Sequence, residues 1–425
     1  MIDDDSGIPS GEETLRTHYG LMLGLRRPWR VGEVKLEVGQ RRLDIWLESE
    51  LGVSFHSCPE CDRGCPVHDH APAREWRHLD AMGFETRLHA RVPRVSCPDH
   101  GVRTVSVPWA GPHGRFTLAF EAFVIEVLKA AASVEAASEL LKLDWKTVHG
   151  IMERAVQRGM RRRDVARVKA VGFDEKSFKR GQSFVSHMCD LRGARVLEVV
   201  EGRDQEAARR LWQSLPEEVS SRIEDAVMDM SAGFAAAARM EAPHARVTFD
   251  KFHVVAHLNK AVDQVRREEH KELRAEGDDI LKGQRQLFLF NPQNLGEEQA
   301  GRLEALLKAN LKAGQAWAFK ELFSEFWNQP DRASGCAFLR QWCSRVKKTH
   351  LNALKKVAAM IERHFEGLLN YFVHRLTNAL CEGFNSKIQQ LKSAARGFRS
   401  FWNYRTRILF FLGRLNLSVS YAPGH

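Results

Sequence analysis

Between residues 170 and 250 short apolar runs alternate with two-faced helical stretches, and two of the runs end on an acid. Val171-Gly172-Phe173-Asp174 is the first, and Ala226-Val227-Met228-Asp229, followed by Met230-Ser231-Ala232-Gly233, is the second. Period-two and short apolar patterns predict strands at 170–173, 184–190, 195–201, 225–229 and 245–250. Helical spacing predicts a helix over 205–215, with Ala208, Leu211, Trp212 and Leu215 on one face, and an Ala-rich one over 232–240. Three strands, a helix, a strand, a helix and a strand is the element order of an α/β core of RNase-H-like type.

The chain of 425 residues is long enough for several domains. Near its start 34–38 and 43–47 alternate apolar and polar residues around Gly39 and Gln40, a half-buried hairpin. A Cys/His-rich stretch runs from Cys58 to His100, with a strand expected over 84–95. From 116 to 159 the pattern is helical. Phe120, Phe123, Val124 and Val127 share a face, and two short helices, 133–141 and 145–157, follow with Asp144 as N-cap of the second. Arg158, Arg161, Arg162, Arg163, Arg167 and Lys169 form a basic connector. From 257 to 371 nearly every signal is helical. The expected division is a zinc-binding β module over 1–110, a helix-turn-helix region over 111–168, and a catalytic core over 169–260. An all-α insertion over 261–370 and a second part of the core over 371–425 complete it.

Lys and Arg outnumber Asp and Glu by 64 − 54 = 10, which favours a polyanionic partner. The acidic start, Met1-Ile2-Asp3-Asp4-Asp5, is unlike a secretion signal. No apolar run approaches the roughly 18 residues of a membrane helix. The expectation is a cytoplasmic protein with no membrane contact, whose eight cysteines are reduced thiols or metal ligands.

A third acid, Glu382, lies on a predicted helix over 378–396. Asn378, Glu382, Asn385, Gln389 and Lys392 form its polar stripe, and Leu380, Phe384, Ile388 and Leu391 its apolar one. Asp174, Asp229 and Glu382 can together hold a pair of divalent ions. Two such ions, about 4 Å apart, clamp the attacking and leaving oxygens of a phosphoryl transfer, and Mg²⁺ prefers carboxylate oxygen. Any one acid in so charged a chain reads as a solvated surface group; the trio in this element order does not. Asp225 rivals Asp229, because residues four apart on a strand share a face. Glu175 is excluded as a partner of Asp174 by strand alternation.

Cys58-Pro59-Glu60-Cys61 and Cys97-Pro98-Asp99-His100 make a C-x₂-C…C-x₂-H set suited to one structural Zn²⁺, with Cys65 able to replace one ligand. Cys189, Cys336, Cys343 and Cys381 read as small buried residues. The second short helix offers Lys146, Thr147, His149 and Arg154 to DNA, and the connector adds Arg161, Arg162 and Arg163. In 396–414 five arginines interleave with Phe398, Phe401, Trp402, Tyr404 and Phe410, rings that at helical spacing read as core.

Gly172-Phe173-Asp174-Glu175, Met228-Asp229-Met230-Ser231, Phe249-Asp250-Lys251-Phe252-His253 and Glu382-Gly383-Phe384-Asn385-Ser386-Lys387-Ile388 resemble insertion-sequence transposases of the ISL-three family. The likeness spans nearly the whole chain. It implies a DDE catalytic domain of RNase-H type with Asp174, Asp229 and Glu382 as the catalytic acids on two Mg²⁺ ions. It also implies cleavage and joining of double-stranded DNA at the element's terminal repeats, and an oligomer, most simply a dimer. Asp250 and His253 belong to the family pattern without a physical role at this level. The alternatives are a transposase-derived DNA-binding regulator that no longer cuts, and a nuclease that cuts without joining.

Overall fold

The computed structural model describes residues 11–50, 53–179 and 183–419. The chain divides into two compact units, one of residues up to Arg162 together with those from Leu415 on, the other Arg163–Arg414.

Among the described residues, the first unit has helix Gly11–Met22, then eight strands: β1 Trp29–Glu37, β2 Arg42–Ser49, β3 Phe55–Ser57, β4 Gly64–His70, β5 Arg74–Arg77, β6 Glu85–Ala90, β7 Pro93–Cys97 and β8 Gly101–Thr104. They form two four-stranded sheets, β1-β2-β6-β5 and β3-β4-β7-β8. β1 and β2 make the expected hairpin, turning through a 3₁₀ segment at Val38–Gln40 with Arg41 left-handed. The stretch expected as one strand over 84–95 is instead two, in different sheets. β6 pairs with β2 and β5, while β7 pairs with β4 and β8. Pro93 opens β7, where its missing N–H costs no ladder bond. The first sheet buries Trp29, Ile45, Trp76 and Leu88, and Trp109 stands edge-on to Trp29 and Trp76 at 4.8 and 5.6 Å.

Three helices follow, Leu118–Ala130, Val134–Leu141 and Trp145–Arg161. Each starts on a side-chain cap: Thr117, Ser133 and Asp144 accept from the backbone N–H of Phe120, Ala136 and Thr147. These caps satisfy N–H groups that a helix cannot pair internally. The second helix ends on Lys142 in the left-handed region, which reverses the chain within a few residues.

The second unit is built on one mixed sheet of β9 Ala170–Lys179, β10 Ser183–Asp190, β11 Arg195–Glu201, β12 Asp225–Met228 and β13 Arg246–Phe249, in the order β11-β10-β9-β12-β13. β9, β10 and β11 are antiparallel neighbours, whereas β12 runs parallel to both β9 and β13. Helices Gln205–Gln213 and Ala232–Glu241 join the later strands, and Phe173 meets Trp212 and Phe234 from these helices. Because successive strand residues face opposite ways, Gly172 and Asp174 look to the other face, where helix Ala379–Ala394 packs.

Gly172 sets how close that helix comes. A Cβ there would lie 2.6 Å from Cys381 Sγ, 2.8 Å from the Leu191 side chain and 2.9 Å from Asn378 Oδ1. Gly172→Ala is therefore expected to lower unfolding free energy by about 1–3 kcal/mol, read as an earlier urea midpoint. An unchanged midpoint would mean the helix is not seated on β9.

Between β13 and that helix lies a nearly all-helical stretch, beginning with the long helix Lys251–Ala275 and including Lys312–Ser324, Arg332–Lys347 and Asn352–Arg363. Its apolar side chains belong to the same core as those of the sheet: Trp342, Phe323 and Ile361 join Phe173 and Met228 in one buried cluster. The final helix of this unit, Phe401–Leu412, packs on β11. Arg405 makes a two-pronged ion pair with Glu198, and Tyr404 is buried between the Phe178 and Phe398 rings. Of the rings expected as core, Tyr404 and Phe410 are buried, whereas Trp402 is exposed at 65%.

Candidate active site and metal centres

Asp174 does not end a strand. β9 continues to Lys179 because β10 keeps pairing with it, Asp174 opposite His187. What ends near Asp174 is the pairing with β12, whose last partner on β9 is Gly172. Asp229 directly follows β12, and Asp250 directly follows β13. Three acids thus stand at the same end of the parallel part of the sheet. Asp225, the rival of Asp229, begins β12 and lies about four strand residues, roughly 13 Å, away. It is buried and locked to Arg246, at 3.0 and 3.2 Å.

Asp250 has the physical role that its sequence did not reveal. Its carboxylate caps helix Lys251–Ala275 by accepting from Phe252 N–H at 3.1 Å, accepts from the Asn378 backbone N–H at 3.1 Å, and faces His253 Nδ1 at 3.2 Å. One buried group ties a strand end, a helix start and the approach to the Glu382 helix. Asn378 adds a bond from its Nδ2 to the Phe173 carbonyl, 2.9 Å. Asn385, one turn beyond Glu382, donates to Asp174 Oδ2 at 2.6 Å. The polar stripe Asn378–Glu382–Asn385 therefore lies along the acids, and these two amides are positioning groups that the sequence showed only as a pattern.

The charges act on one another. Burial first, and then the Asp229 and Glu382 charges, hold the Asp174 carboxyl up at about 6, against the pull of the Glu175 N–H and His253. Glu382 is raised by burial and by Asp250. His253 is raised by its hydrogen bond to Asp250, against the cost of burial, and by the Asp229 and Asp174 charges. Glu175 takes Arg203 as ion-pair partner at 3.6 Å. Asp229 and Glu382 both act on Asp174, with His253 beside them, and such an oxygen-lined place suits positive charge, a donor set that hard divalent ions fit. Among the described residues the trio is not one of the groups whose ligand atoms all lie within 4.8 Å of one another. The acids share a field rather than a single point.

Between about 4 and 6 the folded chain holds a proton on Asp174 that the unfolded chain has lost, so stability falls as pH rises through that window. Without divalent ions, Asp174→Asn is expected to unfold later than the parent at pH 8, by about 3 kcal/mol at most, and by roughly half that margin at pH 5, midway through the window. Added Mg²⁺ should raise the melting temperature of the parent alone. Parallel melting curves at both pH values would refute this charge strain.

In the first unit Cys58, Cys61, Cys97 and His100 place their ligand atoms within 4.8 Å of one another. Cys61 Sγ to Cys97 Sγ is 3.7 Å, Cys97 Sγ to His100 Nδ1 3.4 Å, and Cys58 Sγ to His100 Nδ1 3.9 Å. A tetrahedron around zinc with bonds of about 2.0–2.3 Å has edges of about 3.3–3.8 Å, so the cluster fits that ion. The β3–β4 and β7–β8 turns bring the two pairs together across the antiparallel β4–β7 contact. Cys65 stands outside the group, its Sγ donating to the Arg63 carbonyl at 3.4 Å.

The expected DNA contacts divide. Lys146 and Arg161 are exposed on helix Trp145–Arg161. Arg162 reaches the Ser418 carbonyl at 2.8 Å. Thr147 Oγ1 donates to Asp144 at 2.5 Å, part of the helix cap. His149 stacks on Trp145 at 4.7 Å. Arg154 pairs with the buried Glu121, joining two helices. Arg163 corrects the expectation outright: both its arms donate at 2.7 Å to backbone carbonyls, of Leu197 and Ser214, so it braces the second unit. Sequence shows a charge there but not its partner.

A transposase family profile of DDE type from the ISL3 group matches residues 171–408. The helix-turn-helix domain of transposase family ISL3 matches 105–156, and the zinc-finger of transposases IS204/IS1001/IS1096/IS1165 matches 54–100. The transposase for insertion sequence element IS1557 of Mycobacterium tuberculosis (strain ATCC 25618 / H37Rv) is 30% identical over 368 residues, 81% of this chain and 82% of the relative. The transposase for insertion sequence element IS1001 of Bordetella parapertussis is 26% identical over 363 residues, 84% of this chain and 89% of the relative. No helix among the described residues is long and apolar enough to cross a membrane. With zinc-ribbon, helix-turn-helix and transposase regions matched in order, the chain belongs to the ISL3 family of DNA transposases.

Proposed function

We propose that the chain binds the terminal inverted repeats of an insertion sequence and cuts and joins DNA there, with Asp174, Asp229 and Glu382 as the catalytic carboxylates. The observation that carries this reading is the mutual field of these acids at one end of the parallel strands, with Asp174 pushed up to about 6 by burial and, further, by its acidic neighbours. The strand order β11-β10-β9-β12-β13, three antiparallel and then two parallel, supports an RNase-H-like core.

Asp174, Asp229 and Glu382 would together hold two Mg²⁺ ions. The ions would supply charge neutralisation at the phosphate and a more acidic water. Asn385 fixes the Asp174 carboxylate, and Asp250 with His253 fixes the entry of the Glu382 helix. Water attacks phosphorus at the element's end, the P–O3′ bond breaks, and the leaving oxygen takes a proton to become a 3′-hydroxyl. That hydroxyl attacks a second phosphodiester, and the 3′-oxygen of the severed target strand leaves. A zinc ion on Cys58, Cys61, Cys97 and His100 would be structural. Pairing of two element ends calls for an oligomer, most simply a dimer, working in the cytoplasm where the DNA lies. Residues 1–110 and 111–168 would recognise ends, 169–260 and 371–425 carry the chemistry, and 261–370 be the helical insertion.

Incubation with Mg²⁺ and duplex DNA from the gene's own flanks tests the reading. A free 3′-end and a strand-joined product are expected. Binding without cutting would leave the regulator, and cutting without joining the nuclease. Lys146→Ala and Arg161→Ala are each expected to weaken end binding at all sequences and to lower the salt slope by about 1. A slope unchanged in binding titrations across salt would remove that residue from the interface.

A further inference from the structure

A second cluster of metal-ligating side chains lies beneath the acids, in the interior of the second unit. His187, Cys189 and Cys381 place their ligand atoms within 4.8 Å of one another, and each is fully buried, at 0% exposure. We propose that these three residues form a metal site for Zn²⁺ that staples the Glu382 helix to the sheet. Cys381 immediately precedes Glu382, whereas His187 and Cys189 sit two apart on β10, opposite Asp174 and Gly172.

Packing alone does not account for the trio. A histidine sealed in an apolar layer needs a partner for each ring nitrogen, since an unmade bond leaves the full cost of desolvation. Neither Nδ1 nor Nε2 of His187 has a hydrogen-bond partner among the described residues. Asn378 Oδ1 is a second buried acceptor without one. That oxygen and Cys381 Sγ crowd the same point over Gly172, 2.9 and 2.6 Å from where a Cβ would stand. Imidazole nitrogen, two sulfurs and an amide oxygen at the rim make four donors, the number zinc prefers.

Charge selects the ion. Thiolate and imidazole ligands favour Zn²⁺ or Cu⁺ over Mg²⁺. As the two Cys–metal bonds form, both thiols release their protons to solvent, and no electron moves. Two thiolates and neutral imidazole then balance Zn²⁺ exactly in charge, while Cu⁺ would leave a net negative charge buried. The site is separate from the cluster of Cys58, Cys61, Cys97 and His100, which lies in the other unit. It also stands independently of the acids' role in cutting DNA.

Zinc counting by elemental mass spectrometry, on protein prepared in Mg²⁺ buffer, tests it. Two zinc ions per chain are expected, and one in Cys189→Ala/Cys381→Ala. The Cys58→Ala/Cys97→Ala protein should keep one zinc, whose X-ray absorption fine structure shows two sulfurs at about 2.3 Å and nitrogen at about 2.0 Å. A single zinc in the parent chain, lost entirely in Cys58→Ala/Cys97→Ala, would overturn the proposal. A disulfide between Cys189 and Cys381, mapped by peptide mass in the freshly isolated parent, would overturn it too. Because the readout is metal content, a failure of strand transfer leaves this result standing.

Discussion

Asp174→Ala, Asp229→Ala and Glu382→Ala are each expected to lower Mg²⁺-dependent cleavage of end DNA by about 10³-fold or more. Removing one ligand from a two-ion site forfeits several kcal/mol of charge stabilisation in the transition state, and about 4 kcal/mol is already that factor. Binding to the same DNA should change little, because recognition is proposed to rest on the first unit. Gel-shift and cleavage assays on one preparation separate the two effects. Asp225→Ala is the control: its carboxylate is engaged by Arg246, so it should lower stability rather than divide cleavage from binding. Full cleavage by any of the first three variants would remove that residue from the catalytic set.

The second large effect is on folding. Cys58→Ser/Cys97→Ser, or a strong chelator, is expected to unfold the module of β3, β4, β7 and β8. That sheet buries little besides Cys58, Cys65, Val95 and Cys97, so too few apolar side chains are present to hold it. Structural zinc in small modules supplies about 10–16 kcal/mol of apparent binding energy, which is folding energy there. Limited proteolysis should open the 53–104 region while the second unit stays resistant, and end-DNA affinity should fall. A chelated protein that stayed resistant throughout would show that the sheet folds unaided.

Much of this was legible because local chemistry decided it. Asp144 sits where a cap is needed, and the hairpin around Val38–Gln40 follows its alternation. The strand and helix order of the second unit came from apolar period alone. Features set by partners far along the chain stayed hidden. β9 outruns its apolar run because β10 pairs with Glu175, Lys176 and Ser177 regardless of their polarity. The stretch over 84–95 reads as one strand, yet Arg91 and Val92 carry the chain from one sheet to another. Asp250 looks like any strand-end acid until Asn378, 128 residues later, donates to it. Arg154 and Arg163 look like DNA contacts until Glu121 and two carbonyls engage them. Cys189 and Cys381 read correctly as buried, but their meeting with His187 depends on the bare backbone of Gly172.

The arrangement of the acids is the claim on which the rest depends, and Mn²⁺ reports it directly through its anomalous X-ray scattering. Crystals of the protein with end DNA, soaked in Mn²⁺, should show two peaks about 4 Å apart, Asp174 touching both and Asp229 and Glu382 one each. Peaks ligated by other residues, or none at Asp174 in an occupied complex, would contradict the account.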